Sequence, residues 1–540
     1  FKCGIIRFCW IFFESFQQRH PLTVYVFLVV WFNKSMIRLR YITLIDTLFT
    51  LNLSILLVSL IVSLIIYYGS SLYSFQNLLK NFSSVNIIRF LLLGALIISF
   101  FIHCYIFWLY LLYITQRVNG NLYQSFTTQF DWNSYYDVNF LINNNYNFSL
   151  ELFGLVFIML AYLVGVISFL ALDTRLYWKN IRFIFVCNFL VLIIVLFASV
   201  NDILVFFLLY EALLIPSFLF VYFISPSRRA TQASLYFVIW TQIGSFLVLC
   251  FTSYVIYLTG NSSFSLFKTF VFTNNEIWCL YFLLFFGFGF KVPVWPFHYW
   301  LTKTHVEAPT GFSIFLSGFL VKSAVYGFYR LSNLLGGDLE TVFFSIFCFL
   351  GILDSSLKMW GQTDLKKLVA YGTIQEMSLI YLAFCWGDGV AIFGGILFCI
   401  THAFLSSLLF YLVDCIQRRY NTRSVVEISG ILHTTPNLGI AILLAVILYA
   451  GLPGTLKFTS EIYIFIGLLE TAPISCIILL YGVNFLGLIG FSKCWFNVVF
   501  GMTVKDQDKL PIDLTVREIL IISLCILFMF FFNISLNVFI

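Results

Sequence analysis

The sequence predicts an all-α polytopic membrane protein with about fourteen transmembrane helices. Of its 540 residues, 61% are hydrophobic and 10% are charged, values that are typical of membrane proteins and not of soluble domains. Apolar runs of about 20 residues, the length that crosses a bilayer as a helix, follow one another along most of the chain. Two of these runs are interrupted by prolines at corresponding places, which indicates two related halves of an inverted-repeat membrane fold.

Each predicted span is an apolar run bounded by polar or charged residues. Within a few residues the spans are 47–68, 90–114, 150–172, 182–200, 203–224, 234–258, 277–297, 308–331, 341–360, 367–386, 389–414, 437–469 with an interruption, 475–498 and 517–538.

The domain organisation follows from the order of these spans. Two inverted five-helix repeats are expected, each with its broken helix in fourth place. The polar segment 116–148, rich in Asn, Tyr and Ser, is predicted to be an exposed loop or a contact with a partner. The expected parts are an N-terminal extension with a short apolar, interfacial segment (1–46), the N-terminal helices with the polar loop (47–181), the first repeat (182–331), the second repeat (341–498), and a C-terminal loop with the last transmembrane helix (499–540).

Net charge and cysteine usage exclude several functions. The net charge of +6 is small for this length and forms no basic stripe, so nucleic acid is not an expected partner. The 13 cysteines are scattered without a CxxC pair or a His/Cys cluster, so neither a disulfide framework nor a metal or iron–sulfur site is expected. The remaining candidates are functions carried out within the membrane.

The first interrupted span carries Lys291, followed by Pro293 and Pro296. A proline cannot donate a backbone hydrogen bond and frees the carbonyl four residues back, which for Pro293 is that of Gly289. Broken helices at bilayer depth are tolerated where they pack in protein or line a hydrated cavity. A lysine in such a place indicates a site that moves charge.

The second interrupted span contains Gly-Leu-Pro-Gly, in which Pro453 should free the carbonyl of Tyr449. Lys457 and Glu461 follow at a spacing of i, i+4, which places them on one helix face. Since Lys precedes Glu, the less favourable order, local helix stabilisation does not explain the pair. The two side chains either neutralise each other or form an acid and its gate.

Four further ionisable residues stand within apolar runs, namely Glu211, Lys322, Glu376 and His402. Such residues indicate a functional site by default, and the natural partner of Glu211 is Lys291. Lys322 has no carboxylate one turn away, so its partner must be on another helix or be water. The alternatives are a structural ion pair for Glu211, snorkelling for Lys322, and a histidine at His402 that only bonds its own helix.

Two other groups of polar residues have weaker interpretations. His298, His305 and Glu307 match no standard metal-ligand spacing, so a metal site there is disfavoured. Asp364, Lys366 and Lys367 are predicted to form a solvated cluster at a helix end.

Several ordered motifs carry a resemblance to a known family. HVEAPT (305–310) and the LVK that ends at Lys322 discriminate best; LYEALLIPSF, THAFLSSLLFY and GLPGTLKFTSE support them. Residues from about 151 to 469 closely resemble the proton-conducting, antiporter-like membrane subunits of respiratory complex I. Two departures stand out, because that family commonly has His in place of Glu376 and Asn or a similar residue in place of Lys457.

The resemblance implies a role in proton translocation for each motif residue. It implies that Glu211 and Lys291 form a coupling ion pair, that Lys322 and His402 are relays, and that Glu461 is the distal acid. Glu376 and Lys457 are secondary candidates for the same path.

The resemblance also implies a setting for the chain. It implies a multi-pass subunit of the mitochondrial inner membrane that adjoins other membrane-arm subunits, including antiporter-like ones, and the lipid bilayer. As part of proton-translocating NADH:ubiquinone reductase it would bind no cofactor, although lipids such as cardiolipin are candidate ligands. NADH, FMN, iron–sulfur clusters and ubiquinone would belong to other subunits.

Other classes of membrane protein are the alternatives. A cation/proton (Na⁺/H⁺) antiporter subunit shares these repeats and lysines. A non-conducting structural bundle is disfavoured by the cost of so many buried ionisable groups. A solute transporter of another fold is disfavoured by the HVEAPT-to-Lys322 run.

Overall fold

The computed structural model describes residues 44–45, 47–64, 84–118, 138–142, 146–171, 181–224, 227–264, 267, 270–335, 342–385, 389–471, 473–501 and 512–539. The chain divides into two compact units, one made of Phe1–Ser54 and Phe101–Thr128, the other of Ile55–Phe100 and Gln129–Ile540. The second unit holds every site residue discussed below.

Nearly all of the described residues are helical, which confirms the all-α class. The elements of the N-terminal half are α1 (Thr47–Leu64), α2 (Ser84–Val118), β1 (Val138–Ile142), β2 (Tyr146–Leu150), α3 (Leu152–Ala171), α4 (Ile181–Ser199), α5 (Ile203–Ala212), α6 (Leu214–Ile224), α7 (Arg228–Thr259), α8 (Asn274–Gly289) and α9 (Tyr299–Glu307).

Two π-helical segments, Leu316–Leu320 and Tyr481–Gly487, occur among the elements of the C-terminal half. The α-helices of that half are α10 (Thr310–Phe315), α11 (Val321–Leu335), α12 (Val342–Met359), α13 (Leu365–Cys385), α14 (Gly389–Tyr420), α15 (Ile431–Thr434), α16 (Pro436–Tyr449), α17 (Leu456–Thr471), α18 (Pro473–Leu480), α19 (Leu488–Val499) and α20 (Val516–Phe539).

Eight helical stretches of the described residues are long and apolar enough to cross a membrane, and three shorter apolar helices accompany them. A multi-pass membrane protein is therefore the class that the structure supports. The total of about fourteen spans and the inverted relation of the two repeats stay predictions from the apolar runs.

Helix α7 illustrates how sequence sets the ends of a span. The Ser227 hydroxyl accepts a hydrogen bond from the N–H of Ala230 at 3.0 Å and caps the start of the helix, a role for which serine is preferred. At the other end Gly260 adopts a left-handed conformation with φ 67°, which glycine adopts without strain. A serine cap and a left-handed glycine thus end the helix on the two sides of its apolar run.

Part of the polar segment 116–148 was predicted incorrectly. It is not a continuous loop, because α2 continues to Val118, and Val138–Ile142 pairs antiparallel with Tyr146–Leu150. The sequence between the two strands is three asparagines. Asparagine favours turns and the flanking aromatic and β-branched residues favour strands, which explains a hairpin here.

Three stretches are almost fully enclosed by the rest of the protein, namely Thr310–Leu335, Leu365–Cys385 and Gly389–Tyr420. Each carries one of the buried ionisable residues singled out in the sequence, since they contain Lys322, Glu376 and His402 respectively. The core of the second unit therefore contains polar chemistry, and the more peripheral helices present apolar side chains outward.

A close contact between α7 and α8 gives a first testable prediction. A methyl group on Gly244 would lie 2.5 Å from the carbonyl oxygen of Gly287 and 2.8 Å from Cβ of Phe290. Gly244→Ala should therefore force the helices apart and destabilise the protein by about 1–3 kcal/mol, measured as a lower unfolding temperature of the detergent-solubilised protein. Gly94→Ala is the matched control, because no heavy atom of a neighbouring described element lies within 4 Å of its added methyl group. Equal unfolding temperatures for the two variants would contradict this packing.

Candidate functional site

The first broken helix keeps its backbone groups satisfied by protein. Helix α8 ends at Gly289, whose carbonyl accepts from the N–H of Val294 at 3.0 Å. The carbonyl of Phe290 accepts from the indole N–H of Trp300 at 2.9 Å. Because buried carbonyls need such partners, the chain can leave the helix here without exposing its backbone to lipid.

Lys291 lies at this break and only 5% of its surface is exposed. Its Nζ is 4.0 Å from the centre of the Tyr210 ring, a cation–π distance. Glu211 follows Tyr210 and interacts electrostatically with Lys291. Within the described part of the chain, however, no carboxylate oxygen lies within 4.0 Å of Lys291 Nζ. The expected direct ion pair with Glu211 is therefore not formed in this conformation, and an aromatic ring contacts the ammonium instead.

Lys322 is 1% exposed, so it does not snorkel to the surface. Its Nζ donates to the carbonyl of Ser317 at 2.7 Å and lies 2.8 Å from Nδ1 of His402 on α14. Ser317 belongs to the π-helical segment Leu316–Leu320, a kind of segment found often at functional sites. The expectation that the partner of Lys322 lies on another helix is met by His402.

The contact with Lys322 defines the protonation of the neutral His402 ring. An ammonium can only donate hydrogen bonds, so Nδ1 is the acceptor and the ring proton is on Nε2. That nitrogen is 3.8 Å from Oε2 of Glu376 on α13. The gap is longer than a hydrogen bond, so a bridging water or a small shift is needed to join the two groups.

Glu376 makes its closest contact with a residue of the second broken helix. Its Oε1 is 2.6 Å from Nζ of Lys457 on α17, and the side chains of both residues are about 95% buried or more. A carboxylate enclosed in this way needs a paired cation. The two secondary candidates of the predicted proton path are thus bonded to each other.

Lys457 also joins the two halves of the second broken helix. Its Nζ donates to the carbonyl of Tyr449 at 2.6 Å, which is the carbonyl expected to be freed by Pro453. The ammonium lies 4.1 Å from the centre of the Tyr449 ring and 3.7 Å from Oε1 of Glu461. Lys457 therefore neutralises two carboxylates unequally.

These contacts form one connected set, here called the charge row. It runs in the order Lys322, His402, Glu376, Lys457, Glu461, with no step between successive polar atoms longer than 3.8 Å. The row brings two lysines and two carboxyl groups together around one imidazole, so opposite charges can compensate each other in the low-dielectric interior. Glu211 and Lys291 form a second cluster on other elements.

A small cavity lies beside the charge row. It is lined by Gln375, Glu376, Tyr449 and Lys457, among others, and its volume is about 10 Å³, roughly what one water molecule needs. The hydroxyl of Tyr449 donates to Oε1 of Gln375 at 2.9 Å. A polar cavity of this size next to an ion pair is suited to a water that carries a proton.

The histidines considered for a metal site lie in different surroundings. His298 Nε2 is 3.1 Å from Oδ2 of Asp354, whereas the His305 ring stacks on Phe410 with centroids 4.6 Å apart. Within the ranges given above, no group of three or more His, Cys, Asp or Glu residues is arranged to hold a metal ion.

The solvated cluster at 364–367 was predicted incorrectly for one member. Lys366 is 4% exposed, and its Nζ donates to the carbonyl of Ala308 at 2.5 Å. Ala308 ends helix α9, so its carbonyl has no helical partner and requires another donor. Asp364 pairs with Arg423 at 2.9 Å, which agrees with the expected helix-end charges.

Sequence reasoning missed the bond between Glu376 and Lys457 and the role of Tyr449. The two charged residues are far apart along the chain, and only their unusual presence in apolar runs pointed to them. Tyr210 was missed as the contact of Lys291, because an aromatic residue in a membrane span is normally packing.

Fold and site together define a polytopic membrane protein with buried, helix-borne charges of the antiporter-like class. A family profile described as NADH:quinone oxidoreductase/Mrp antiporter, transmembrane, matches residues 200–487. The chain is 44% identical over 400 residues to NADH-ubiquinone oxidoreductase chain 4 of Paramecium tetraurelia, which covers 74% of this chain and 84% of the relative.

Solved structures agree on the fold. A chain of respiratory complex I from Thermus thermophilus with bound NADH superposes with a TM-score of 0.71 at 18% identity, covering 89% of this chain and 94% of the other. A chain of the Mrp complex from a Dietzia species gives 0.70 at 17% identity, covering 85% and 82%. The chain thus belongs to the NADH:quinone oxidoreductase/Mrp antiporter family, among the relatives named NADH-ubiquinone oxidoreductase chain 4, and the resemblance carried by the motifs is confirmed.

Proposed function

We propose that this chain is a membrane-arm subunit of NADH:ubiquinone oxidoreductase and conducts protons across the mitochondrial inner membrane. Electron transfer from NADH to ubiquinone takes place in other subunits, which carry the flavin and the iron–sulfur clusters. The observation that carries the proposal is the charge row, a continuous set of buried ionisable groups at membrane depth. Such groups are costly there and mark ion and proton paths.

The charge row supplies each element that proton transfer requires. Lys322 Nζ can give a proton to Nδ1 of His402 across 2.8 Å, which makes the ring an imidazolium with a proton still on Nε2. That Nε2 proton can then pass to Glu376 across the 3.8 Å gap. The two steps together leave the ring as its other neutral tautomer, with the proton on Nδ1. This proton must return to Nε2, through water or by rotation of the ring, before His402 can relay the next one.

Glu211 and Lys291 fit the role of a control point for this row. Lys291 sits at a helix break, where small backbone shifts change the distance to Glu211. A nearer carboxylate favours the ammonium, and a more distant one favours release of its proton in the apolar interior. Charge rearrangement arriving from neighbouring subunits would act on this distance and so drive protons towards Lys322.

The relatives support the assembly and the location. The chain shares 44% identity with a protein named for NADH–ubiquinone oxidoreductase, and the Thermus thermophilus chain of the same fold is part of respiratory complex I. Other membrane-arm subunits and the lipid bilayer are the implied partners, with lipids such as cardiolipin as candidate ligands. The mitochondrial inner membrane is the location that we propose for this assembly.

The second candidate function is that of a Na⁺/H⁺ antiporter subunit, because the Mrp complex contains a chain of the same fold. Fold alone does not separate the two functions. The higher sequence identity to the chain 4 relative favours the respiratory assignment.

Native separation of mildly solubilised membranes tests the proposed function directly. The chain, identified by mass, is expected to migrate with the band that stains for NADH dehydrogenase at the size of a large multisubunit complex. An unrelated inner-membrane carrier, followed in the same lanes, controls for incomplete solubilisation. Migration of the chain away from that activity, alone or with small membrane partners, would overturn the assignment and favour the antiporter.

A further inference from the structure

We propose that Lys457 is a mobile cation that alternates between Glu376 and Glu461, so that the two carboxylates take up and release a proton in turn. This inference deepens the proton-conduction function and rests on it. It assigns a shared device, a two-position gate, to Glu376, Lys457 and Glu461.

The gate rests on an unequal sharing of one ammonium by two carboxylates. Lys457 Nζ is 2.6 Å from Glu376 Oε1 and 3.7 Å from Glu461 Oε1. The three residues are 3%, 4% and 6% exposed for Lys457, Glu376 and Glu461 respectively. Without solvent to compensate, a carboxylate that loses its cation in such a place takes up a proton. One cation can therefore keep only one of these two groups ionised at a time.

The movement that the gate requires is small. Glu461 lies on the same helix as Lys457 at a spacing of i, i+4, and a shift of Nζ by about 1 Å would bring the pair within hydrogen-bond distance. The carbonyl of Tyr449 accepts from Nζ at 2.6 Å, and the Tyr449 ring lies 4.1 Å from it. The carbonyl and the ring thus contact the ammonium independently of either carboxylate.

Proton balance closes over one cycle. With Lys457 on Glu376, Glu461 carries a proton. When Lys457 moves to Glu461, that proton is released towards the exit side. Lys322 Nζ then gives a proton to Nδ1 of His402, and Glu376 Oε2 takes the Nε2 proton of the resulting imidazolium, so that one N–H bond breaks and one O–H bond forms. When Lys457 returns to Glu376, Glu376 gives its proton to Glu461 by way of water. The starting state is restored once Lys322 takes up a proton from the entry side and the ring proton of His402 returns from Nδ1 to Nε2.

The gate would prevent proton back-flow, which an uninterrupted chain of proton-transfer groups would allow. At each stage one of the two carboxylates is paired with Lys457 and closed to protons, so His402 and the exit side are never connected at the same time. Back-flow down the proton gradient is therefore blocked at this point while Lys457 holds either position.

The test is a charge-balanced double variant, Glu376→Gln with Lys457→Gln, in the intact complex. Removing one cation and one anion together leaves the net charge of the interior unchanged, so the complex is expected to assemble. The protons moved per NADH are expected to fall. The control is Glu427→Gln with Lys493→Gln, which removes the same charges at exposed positions and should leave the ratio unchanged.

The possible outcomes distinguish failure of the gate from failure of the proposed proton conduction. If the double variant moves as many protons per NADH as the native complex, Glu376 and Lys457 only neutralise each other, and the proposed gate is overturned. If Lys322→Met, measured in parallel, also left the ratio unchanged, the proposed function itself would fail. Should the double variant not assemble, Lys457→Arg keeps both charges. Its rigid two-pronged guanidinium should hold one carboxylate and slow proton transfer, and a native rate in that variant would overturn the gate.

Discussion

Lys322→Met should abolish proton conduction through this chain while the complex remains assembled. The substitution removes the ammonium that lies 2.8 Å from Nδ1 of His402 and donates to the Ser317 carbonyl at 2.7 Å. Methionine is apolar and fills a similar volume. The expected result is a clear drop in protons moved per NADH with NADH oxidation retained in the uncoupled state.

The measurement is the ratio of protons translocated to NADH oxidised by vesicles that contain the complex. Lys303→Met is the matched control, since Lys303 is exposed and its Nζ lies 5.3 Å from the ring centre of Tyr299 outside the charge row. An unchanged ratio for Lys322→Met in assembled complex would show that protons do not pass this lysine.

Glu376→Gln alone should have the largest effect on stability. Glutamine leaves Lys457 with a single carboxylate, Glu461, at 3.7 Å, and so leaves a buried charge incompletely compensated. Breaking a buried pair by removing one partner costs about 3–5 kcal/mol. We expect strongly reduced amounts of assembled complex and a lower denaturation temperature of what remains.

The control for this substitution is Glu427→Gln, an identical change at an exposed position. Adding Lys457→Gln to Glu376→Gln should recover much of the lost stability, because the uncompensated cation is then removed as well. Equal amounts of assembled complex for Glu376→Gln and Glu427→Gln would mean that the Glu376–Lys457 contact contributes little to the fold.

Much of the fold could be predicted because each membrane span is a continuous apolar run of the sequence. The apolar run 517–538, for example, corresponds closely to Val516–Phe539. The position of the second break was also readable, since a proline frees one particular carbonyl, here that of Tyr449. The donor that hydrogen-bonds to that carbonyl could not be predicted, although Lys457 is only eight residues away. The direction of the lysine side chain depends on the backbone geometry of the break.

Side-chain contacts between helices that are far apart in the sequence could not be predicted. Glu376 and Lys457 are separated by 81 residues, and nothing local states that they pair. The expected Glu211–Lys291 contact shows the opposite case. Charge complementarity suggested a bond, whereas the packing around the first break places the Tyr210 ring against Lys291 instead. The position of a helix can be predicted from its residue types, whereas the contacts between side chains on different helices depend on how the helices pack.

The enclosure of the charge-bearing helices also has a consequence for biogenesis. Of the eight membrane-length stretches, Thr310–Leu335 and Leu365–Cys385 have the lowest mean hydropathy, and both are wholly enclosed by protein. A buried lysine or glutamate raises the cost of inserting a lone helix by about 2.5–3.5 kcal/mol. These stretches are therefore poorly suited to partition into lipid alone during synthesis. Their insertion must depend on helices made before and after them, so the centre of the molecule is completed late, once its surroundings are in place.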